Sequence, residues 1–340
     1  MMKNSDLTAA PWRGYELLDS GNSRKLERYG DYILIRPETQ ALWEPARPEL
    51  WKKADAEFLW TDGKGSWRKK NMPDTWQLAW EDIRCTIRLT SFKHTGIFPE
   101  QAPNWEWIHE RVGKLNAPKV LNLFGYTGIA SIVAAKNGGA SMPQRSFSSR
   151  SLANASEVMN DDEGVLGEYS EEELKKPQPH SQDWSRKGTL AACSVTHVDA
   201  SKQSNAWAKE NAALSGVNEG GVRYITDDAL KFVEREARRG AIYDGIILDP
   251  PAFGRGAKGE VWRIEESLAP LLRALAKIFA QKPGAFFLLN GYAAGYSPQS
   301  FLQAVESFFP QPNGEFGELN IQESKSERLV PSGIYVRFTS

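Results

Sequence analysis

The sequence contains few of the residues from which disulfide frameworks and metal sites are built. Only two of its 340 residues are cysteine and four are histidine. Cys85 and Cys193 lie far apart along the chain, and the histidines are scattered without the spacing of metal ligands. We therefore expect no disulfide and no metal site, and the rarity of cysteine indicates a reducing compartment.

Long apolar segments and an excess of one charge are also lacking. No stretch approaches the roughly 18 apolar residues of a membrane-spanning helix, and residues 1–13 lack the apolar segment of a secretory signal. The 42 basic and 43 acidic residues give a net charge of −1, so no broad positive field indicates a nucleic-acid partner, and a local basic patch stays open. We expect no membrane association and a cytoplasmic location, with mitochondria as the other option.

The residues that are present suit a globular protein of two modules. Hydrophobic residues make up 41% of the chain, enough for a sizeable core. Residues 1–92 contain short β-type segments separated by turns, which predicts a small β-rich N-terminal domain. This region holds seven of the twelve tryptophans. We interpret them as the core of the domain, although aromatic side chains also form surfaces on which bases stack.

From Lys119 onward, apolar strands alternate with amphipathic helices. This alternation predicts an α/β fold with a Rossmann-like, doubly wound sheet over residues 119–340. Two further strands, near residues 318–324 and 334–339, are predicted to close it as a terminal antiparallel hairpin. Residues 141–194 are rich in Ser, Asn, Asp, Glu and Pro, and we interpret them as a disordered insertion at the surface.

The first polar constellation follows the first predicted strand of this sheet. Residues 121–128 read Leu-Asn-Leu-Phe-Gly-Tyr-Thr-Gly, a strand that enters a turn containing Gly125 and Gly128. Glycine lets the backbone approach a ligand closely and tolerates positive φ. The turn lacks the G-x-G-x-x-G pattern that seats a pyrophosphate, which counts against a dinucleotide.

Acidic residues follow the next two predicted strands. With residues 141–194 set aside, Asp199 lies about 23 residues after Asn122, a spacing at which an acidic residue can bind ribose hydroxyls. Asp227 and Asp228 follow the third strand, where a carboxylate can accept a hydrogen bond from an adenine amino group. Capping of the following helix is the competing role for each of these residues.

Asp249-Pro250-Pro251-Ala252-Phe253 follows an apolar strand, at the carboxyl end where open α/β sheets bind ligands. The Asp249 carboxylate and the Pro250 carbonyl can each accept a hydrogen bond from an amino group, since Pro251 holds the preceding residue extended. Such a pair would orient a nitrogen lone pair for methyl transfer. Phe253 would stack on a flat substrate ring, and residues 254–256 would form a mobile loop.

Four segments resemble, in the right order, the successive motifs of class I S-adenosylmethionine-dependent methyltransferases. They are residues 121–128, 196–201, 228–232 and 249–256. The chain is similar to the family of the ribosomal-RNA large-subunit methyltransferase I, whose members also carry a small N-terminal β-domain and a segment like Phe92-Lys-His-Thr-Gly-Ile-Phe-Pro-Glu-Gln101. The resemblance covers nearly the whole chain apart from residues 141–194, and it makes residues 93–118 a linker that contributes to the cofactor pocket.

The resemblance implies S-adenosyl-L-methionine as the cofactor and a set of residues for each part of the site. Its cofactor-binding residues would be Phe98, Gln101, Asn122, Phe124, Gly125, Thr127, Gly128, Asp199, Ala200, Asp227, Asp228 and Ala229. Its transfer-site residues would be Asp249, Pro250, Pro251 and Phe253. Within the first set, Asp199 would hold the ribose and Asp228 the adenine.

One departure from the family bears on the substrate. Its cytosine-C5 enzymes use a cysteine after the fifth strand, where this chain reads Phe286-Phe-Leu-Leu-Asn-Gly-Tyr292. We therefore favour direct transfer to a nitrogen or oxygen nucleophile. RNA, with ribosomal RNA as one candidate, is our leading acceptor. A small-molecule methyltransferase, a non-catalytic nucleotide-binding protein and a nicotinamide oxidoreductase are the alternatives, and the oligomeric state is left open.

Overall fold

The computed structural model describes residues 1–61, 63–136, 193–256, 258–292, 295–310 and 312–340. The predicted insertion, residues 141–194, lies outside these ranges except for its last two residues. Of those two, Cys193 is buried and Ser194 already begins a strand, so the predicted insertion extended too far at this end.

A nine-stranded sheet lies at the centre of the described structure. Its five parallel strands are β10 (Lys119–Leu123), β11 (Ser194–Asp199), β12 (Val222–Thr226), β13 (Gly245–Leu248) and β16 (Phe286–Gly291). The antiparallel pair β17 (Asn313–Gln322) and β18 (Leu329–Thr339) is added beside β16. The order β17-β18-β16-β13-β10-β11-β12 confirms the predicted Rossmann-like sheet with its terminal hairpin.

The central strands are apolar at successive positions because both faces of the sheet are covered. Every residue of β13 and of β16 is buried. Their side chains alternate between two apolar cores, so that Ile247 and Leu288 join one cluster while Ile246 and Leu289 join the other. The continuous apolar segments seen in the sequence therefore contribute side chains to two cores, one on each face of the sheet.

Helices connect the strands of the sheet. They are α3 (Ile129–Lys136), α4 (Lys202–Leu214), α5 (Ala229–Arg238), α6 (Ile264–Ala276) and α7 (Pro298–Glu306). Three begin at a capping side chain, and two of these caps follow β11 and β12: the Ser201 hydroxyl accepts a hydrogen bond from the Ser204 amide at 3.1 Å, and the Asp228 carboxylate accepts one from the Lys231 amide at 2.9 Å. These caps fix α4 and α5 directly after the strand ends that carry the predicted site.

The N-terminal half contains a second, smaller set of strands. A five-stranded sheet comprises β3 (Tyr15–Gly21), β4 (Arg24–Tyr29), β5 (Tyr32–Pro37), β6 (Ala56–Thr61) and β7 (Lys64–Lys69), and β8 (Thr75–Trp80) pairs with β9 (Ile83–Arg88). A short helix, α1, spans Pro48–Trp51. Trp80 is buried and Trp12, Trp43, Trp67 and Trp76 pack against the same core, whereas Trp60 is 60% exposed. Most of these tryptophans are thus core residues, as interpreted.

The first residues of the chain belong to the central sheet. Strand β1 (Met2–Asn4) and strand β2 (Leu7–Ala9) both pair in parallel with β17. A predicted N-terminal domain that starts at residue 1 therefore includes strands whose partners lie more than 300 residues away in sequence. Short strands of this kind carry no local pattern, and only the partner strand specifies them.

Residues 93–118, expected as a linker, contain regular structure. A one-turn helix over Pro99–Gln101 leads into α2 (Ala102–Gly113), with Pro103 in the first helical turn. Among the described residues, no helix is long and apolar enough to span a membrane. The same part of the chain contains no group of three or more His, Cys, Asp or Glu side chains that could hold a metal ion.

Candidate functional site

The parallel strands bring four of the predicted residues to one edge of the sheet: Gly125, Asp199, Asp227 and Asp249. Beyond the strand ends, the Gly125 amide donates a hydrogen bond to the Val198 carbonyl at 3.2 Å. The Asp249 amide lies 3.4 Å from the Leu123 carbonyl. The Asp227 amide lies 3.3 Å from the Asp199 carbonyl. The turn after β10 and the ends of β11, β12 and β13 therefore lie side by side, as expected for the carboxyl ends of parallel strands.

The turn after β10 is held in an unusual backbone conformation. Phe124, Tyr126 and Gly128 all have positive φ, at 56°, 48° and 84°. For the two aromatic residues such values cost on the order of 1–3 kcal/mol, and conformations of this kind cluster at functional sites. Positive φ was expected of the glycines, but Gly125 does not have it, and the two aromatic residues take it up instead.

Gly125 is required because a buried histidine lies directly against it. A Cβ at this position would lie 2.3 Å from Cε1 of His197, a distance that no real side chain tolerates. Burial lowers the pKa of His197 to about 4, so its ring is neutral. Its Nδ1 is 2.9 Å from the Ser131 hydroxyl, which in turn accepts a hydrogen bond from Asn122 at 2.8 Å. The turn thus rests on a buried polar network.

A cavity of about 510 Å³, counted to its open mouth, lies beside this turn. Seven predicted residues line it: Phe98, Gln101, Asn122, Phe124, Gly125, Thr127 and Asp249. The lining does not include Gly128, Asp199, Ala200, Asp227, Asp228, Ala229, Pro250, Pro251 or Phe253. The segment Gly96–Phe98, Gln101 and helix α2 form one wall, so residues 93–118 do contribute to the cavity.

Asp199 bonds the backbone of Tyr126, a residue that lines the cavity. One carboxylate oxygen accepts the Tyr126 amide at 2.9 Å, and the other accepts the Ser201 amide at 2.8 Å. Burial raises the pKa of Asp199, while these two hydrogen bonds work in the opposite direction. Each oxygen retains a further lone pair for a ligand hydroxyl.

Asp227 and Asp228 already have structural partners. Asp228 caps α5 through Lys231, as described above. Asp227 accepts the amide of Asp228 at 2.9 Å and forms an ion pair with Arg235. The capping role that competed with adenine binding is therefore present, and any contact with a ligand must use the remaining lone pairs of these carboxylates. Ala229 is buried as the first residue of α5, and Ala200 is half-buried after β11.

Among the described residues that line the cavity, Asp249 is the one carboxylic acid, and it lies at the end of β13. Burial raises the pKa of Asp249 to about 7, and the nearby Glu100 carboxyl adds to this rise. Glu100 is itself buried, and burial raises its pKa as well. Asp249 therefore titrates near neutral pH, the range in which a group can both accept and release a proton.

The residues after Asp249 leave the cavity. Pro250 is buried, Pro251 is exposed, and the Pro251 carbonyl accepts a hydrogen bond from the Trp262 indole at 2.7 Å. Phe253 is 55% exposed and begins a short strand rather than lying against the cavity. The predicted mobile loop is in fact a two-stranded ribbon of β14 (Phe253–Arg255) and β15 (Val261–Arg263).

The sequence patterns did not predict a network of amide side chains in the cavity wall. Asn104 of α2 donates from Nδ2 to Asn290 at 2.9 Å and to Gln101 at 3.1 Å, and its Oδ1 accepts a hydrogen bond from Arg337 at 3.0 Å. Asn104 and Asn290 both line the cavity. The signal for Asn290 was available, since it is the one polar side chain in the otherwise apolar strand β16.

Neither cysteine lies at the cavity. Cys85 is buried in β9, and Cys193 is buried just before β11, at the opposite end of that strand from Asp199. Burial raises the pKa of each thiol to about 12, so both are protonated and unreactive at neutral pH. The side chain at the end of β16 is Asn290, as the sequence indicated.

No family model matches the sequence. Curated relatives include the ribosomal RNA large subunit methyltransferase K/L of Pseudoalteromonas atlantica, 26% identical over 285 residues, which covers 78% of this chain and 32% of that protein. The same-named protein of Shewanella frigidimarina is 24% identical over 60% of this chain and 21% of its own length. The chain thus spans about a fifth to a third of these curated relatives.

Two solved structures cover almost all of the chain. A putative methyltransferase, SMU.776, solved with S-adenosylhomocysteine, superimposes with a TM-score of 0.63 at 15% identity over 96% of this chain and 76% of its own, which shows the shared fold. The S-adenosylmethionine-dependent methyltransferase of Agrobacterium tumefaciens is 34% identical, covers 100% of this chain and 97% of its own, and has a TM-score of 0.76. With this identity over nearly the full length of both proteins, the chain belongs to the S-adenosylmethionine-dependent methyltransferases.

Proposed function

We propose that this methyltransferase transfers the methyl group directly to a nitrogen, or an oxygen, of an RNA base, with ribosomal RNA as the first acceptor to test. The observation that carries the proposal is Asp249, a carboxylic acid that lines the cavity and titrates near neutral pH, in a site without a thiol. The names of the curated relatives, ribosomal RNA large subunit methyltransferases, support the choice of RNA.

The arrangement of the cavity fits S-adenosylmethionine. The turn at Gly125 supplies backbone at close range, and the rings of Phe98 and Tyr126, 5.7 Å apart, offer flat apolar surfaces. We propose that Asp199 holds the ribose through its remaining lone pairs, and that Asp227 or Asp228 meets the adenine amino group. The cap formed by Asp228 occupies one of its oxygens only, so both roles are compatible.

The other cofactor residues would act mainly through the shape of the turn. Asn122 and Thr127 are buried, and Thr127 anchors the opposite wall by donating to the Gly96 carbonyl at 2.6 Å. Gly128 packs against Ala208 of α4, where a Cβ would approach within 2.8 Å. We propose that Ala200 and Ala229 contribute small side chains next to the two acidic positions.

The bound cofactor would supply an electrophilic methyl group on a positively charged sulfur. The Asp249 carboxylate and the Pro250 carbonyl would accept the hydrogens of an amino group and hold its lone pair toward that methyl. As the nitrogen becomes positively charged, the Asp249 carboxylate stabilises it and can take the released proton. Covalent attack on a pyrimidine is disfavoured, because both thiols are buried and protonated away from the cavity.

The test is methylation of ribosomal RNA from cells that lack the protein, with isotopically labelled S-adenosylmethionine and mass spectrometry of the digested nucleosides. We expect a base methylated on nitrogen or oxygen, and loss of the product with Asp249→Ala. Asp31→Asn is the matched control, because Asp31 is an exposed acidic residue in the turn between β4 and β5.

Three results would contradict the proposal. A C5-methylpyrimidine product would show that the chemistry is covalent after all. Methylation of cellular metabolites without methylation of RNA would identify a small-molecule enzyme. Binding of S-adenosylhomocysteine without transfer to either acceptor class, and no effect of Asp249→Ala in cells, would indicate a binding protein.

A further inference from the structure

The ribbon that follows Asp249 is attached to the site by one of its two faces. Its strands pair antiparallel, with Gly254 opposite Trp262. Trp262 is 5% exposed, donates its indole hydrogen to the Pro251 carbonyl at 2.7 Å, and packs edge-on against Phe124 with 4.8 Å between ring centroids. The inner face of the ribbon therefore packs on the Asp-Pro-Pro segment and on the turn after β10.

The outer face of the ribbon has no cover among the described residues. Side chains alternate across a strand, so Phe253, Arg255, Val261 and Arg263 share this face. Phe253 is 55% exposed and Val261 is 54% exposed, and both arginines are exposed as well. The guanidinium of Arg263 lies over the Phe253 ring at 5.7 Å. Two apolar and two cationic side chains thus form one surface next to the cavity.

The two arginines are available for a ligand. Within the described ranges, the Arg255 side chain has no hydrogen bond or ion pair. The Arg263 guanidinium lies over the Phe253 ring and is 3.9 Å from the carboxylate of Glu266, whose side chain is 74% exposed. The acidic residue of the ribbon, Glu260, is already paired with Lys231 at 2.7 Å and with the Lys258 amide at 2.8 Å. This outer face is therefore locally cationic in a chain whose net charge is −1.

We propose that the outer face of the ribbon binds the single-stranded RNA that flanks the acceptor nucleotide, an inference that rests on the proposed function. A neighbouring base stacks on Phe253 beside Val261, and Arg255 and Arg263 contact the phosphates on either side. An exposed aromatic ring between two exposed guanidinium groups matches the alternation of base and phosphate in RNA. Phe253 then acts on a flanking base, consistent with its position outside the cavity.

The test measures binding of a short fluorescein-labelled single-stranded RNA to the full chain with S-adenosylhomocysteine present. The double variant Arg255→Gln, Arg263→Gln should bind this RNA roughly tenfold more weakly, and the slope of log affinity against log salt should fall by about 1.4, as for two lost phosphate contacts. Phe253→Leu should weaken binding without changing the salt slope, because it removes a stacking ring and no charge.

The matched control is Arg238→Gln, Arg273→Gln, which removes the same charge elsewhere. Both arginines are exposed and lie near the C-terminal ends of α5 and α6. These helices connect parallel strands, so they run back from the carboxyl edge of the sheet and end near its other edge. We expect the control to keep the RNA affinity of the wild type, and all variants to keep their affinity for S-adenosylhomocysteine.

The possible failures are distinguishable. If the wild-type protein methylates RNA but the ribbon variants bind it with unchanged affinity and salt slope, the ribbon surface is wrong and the proposed function stands. If the wild-type protein neither binds nor methylates RNA, both are overturned. If the ribbon variants impair methylation of a ribosomal protein while RNA binding is unchanged, the occupant is a protein and the inference is overturned.

Discussion

At the scale of single residues, the Gly125–His197 contact makes the sharpest prediction. In Gly125→Ala the new methyl group lies 2.3 Å from the imidazole, so the turn that lines the cavity must move away from His197. We expect the affinity for S-adenosylhomocysteine to fall at least about tenfold, which is roughly 1.4 kcal/mol. Isothermal titration calorimetry measures this change directly.

The control for Gly125→Ala also removes the His197 imidazole, with which the new methyl group collides. In the double variant Gly125→Ala, His197→Ala the methyl group has space, so part of the lost affinity should return. His197→Ala alone breaks the contact with Ser131 and should have a smaller effect than Gly125→Ala. Wild-type affinity in Gly125→Ala would show that the turn does not shape the cofactor site.

Asp249 predicts a pH dependence for methyl transfer. Because its pKa is about 7, the accepting carboxylate form is lost as the pH falls below neutrality. We expect the transfer rate to rise with pH, to reach half of its maximum near pH 7 and to level off at higher pH. Since the Glu100 carboxyl contributes to the raised pKa of Asp249, Glu100→Gln should move this midpoint to lower pH. A rate that is constant between pH 6 and 8 would contradict the assignment.

The raised pKa of Asp249 also implies that this residue lowers the stability of the folded protein at the pH at which it is active. The pKa of Asp249 in the folded protein lies above the ordinary aspartate value of 3.8, so the free energy of unfolding decreases as the pH rises from about 4 to about 7. Asp249→Asn removes this loss and should stabilise the cofactor-free protein at pH 8 by up to about 4 kcal/mol. Urea unfolding at pH 4 and pH 8 measures the difference. A variant that is less stable than the wild type at pH 8 would contradict the origin assigned to the pKa shift.

The turn at Gly125 shows how far residue-level prediction from sequence reached. Its position, and the acidic partners Asp199 and Asp249, followed from strand ends that meet at one edge of a parallel sheet. The reason for the glycine did not follow, because it depends on His197 from a different strand. The positive φ of Phe124 and Tyr126 was equally hidden, since aromatic residues carry no intrinsic preference for it.

At the scale of elements, α4 joins the strand β9 to the turn of the site. The Asn211 side chain of α4 is fully buried, accepts the Thr86 amide at 2.9 Å and donates to the Thr127 carbonyl at 2.9 Å. Asn211→Ala leaves both buried backbone groups without these partners, so we expect a loss of about 2–4 kcal/mol in the free energy of unfolding. Equilibrium urea denaturation measures it.

Asn218 provides the comparison for this variant. It is exposed in the loop after α4, and its side chain has no hydrogen bond to any residue that the structure describes. We expect Asn218→Ala to change the free energy of unfolding by less than about 0.5 kcal/mol. Equal effects of the two substitutions would mean that the buried Asn211 contacts contribute nothing to stability.

Elements with strong apolar patterns were predicted from the sequence. Strand β10 begins at Lys119 as predicted, and the strands predicted near residues 318–324 and 334–339 overlap β17 and β18. The ribbon β14–β15 and helix α2 were missed. The ribbon strands are three residues long and include a glycine, too short for an alternating pattern to appear. Helix α2 begins at a proline-containing segment that read as a linker.

At the scale of the whole molecule, the first nine residues test how the sheet is completed. The Ser5 amide bonds the Phe316 carbonyl at 2.9 Å, and Asp6 accepts the Glu318 amide at 2.9 Å. Deletion of residues 1–9 removes both strands that cover β17, and we expect the melting temperature to fall by roughly 5–10 °C. Deletion of residues 1–4 should have a smaller effect because β2 remains. An unchanged melting temperature in scanning calorimetry would show that these strands do not stabilise the sheet.

Whole-molecule architecture was predictable where it follows from the order of elements, and not where it depends on distant pairing. The alternation of strands and helices indicates a doubly wound sheet. The return of residues 2–9 to β17 depends on a partner more than 300 positions away, which no local window contains.

This pairing also imposes an order on assembly during translation. Strand β17 lies between β18 and the paired strands β1 and β2, so residues 2–9 are synthesised about 300 residues before the strand with which they pair. Until then, the outer edge of β16 and the apolar side chains of Leu7 and Ala9 stay without their partners. Residues 2–9 therefore stay without their strand partners while the chain between them and β17 is synthesised, and we expect the nascent chain to depend on a holding chaperone until β17 and β18 are complete.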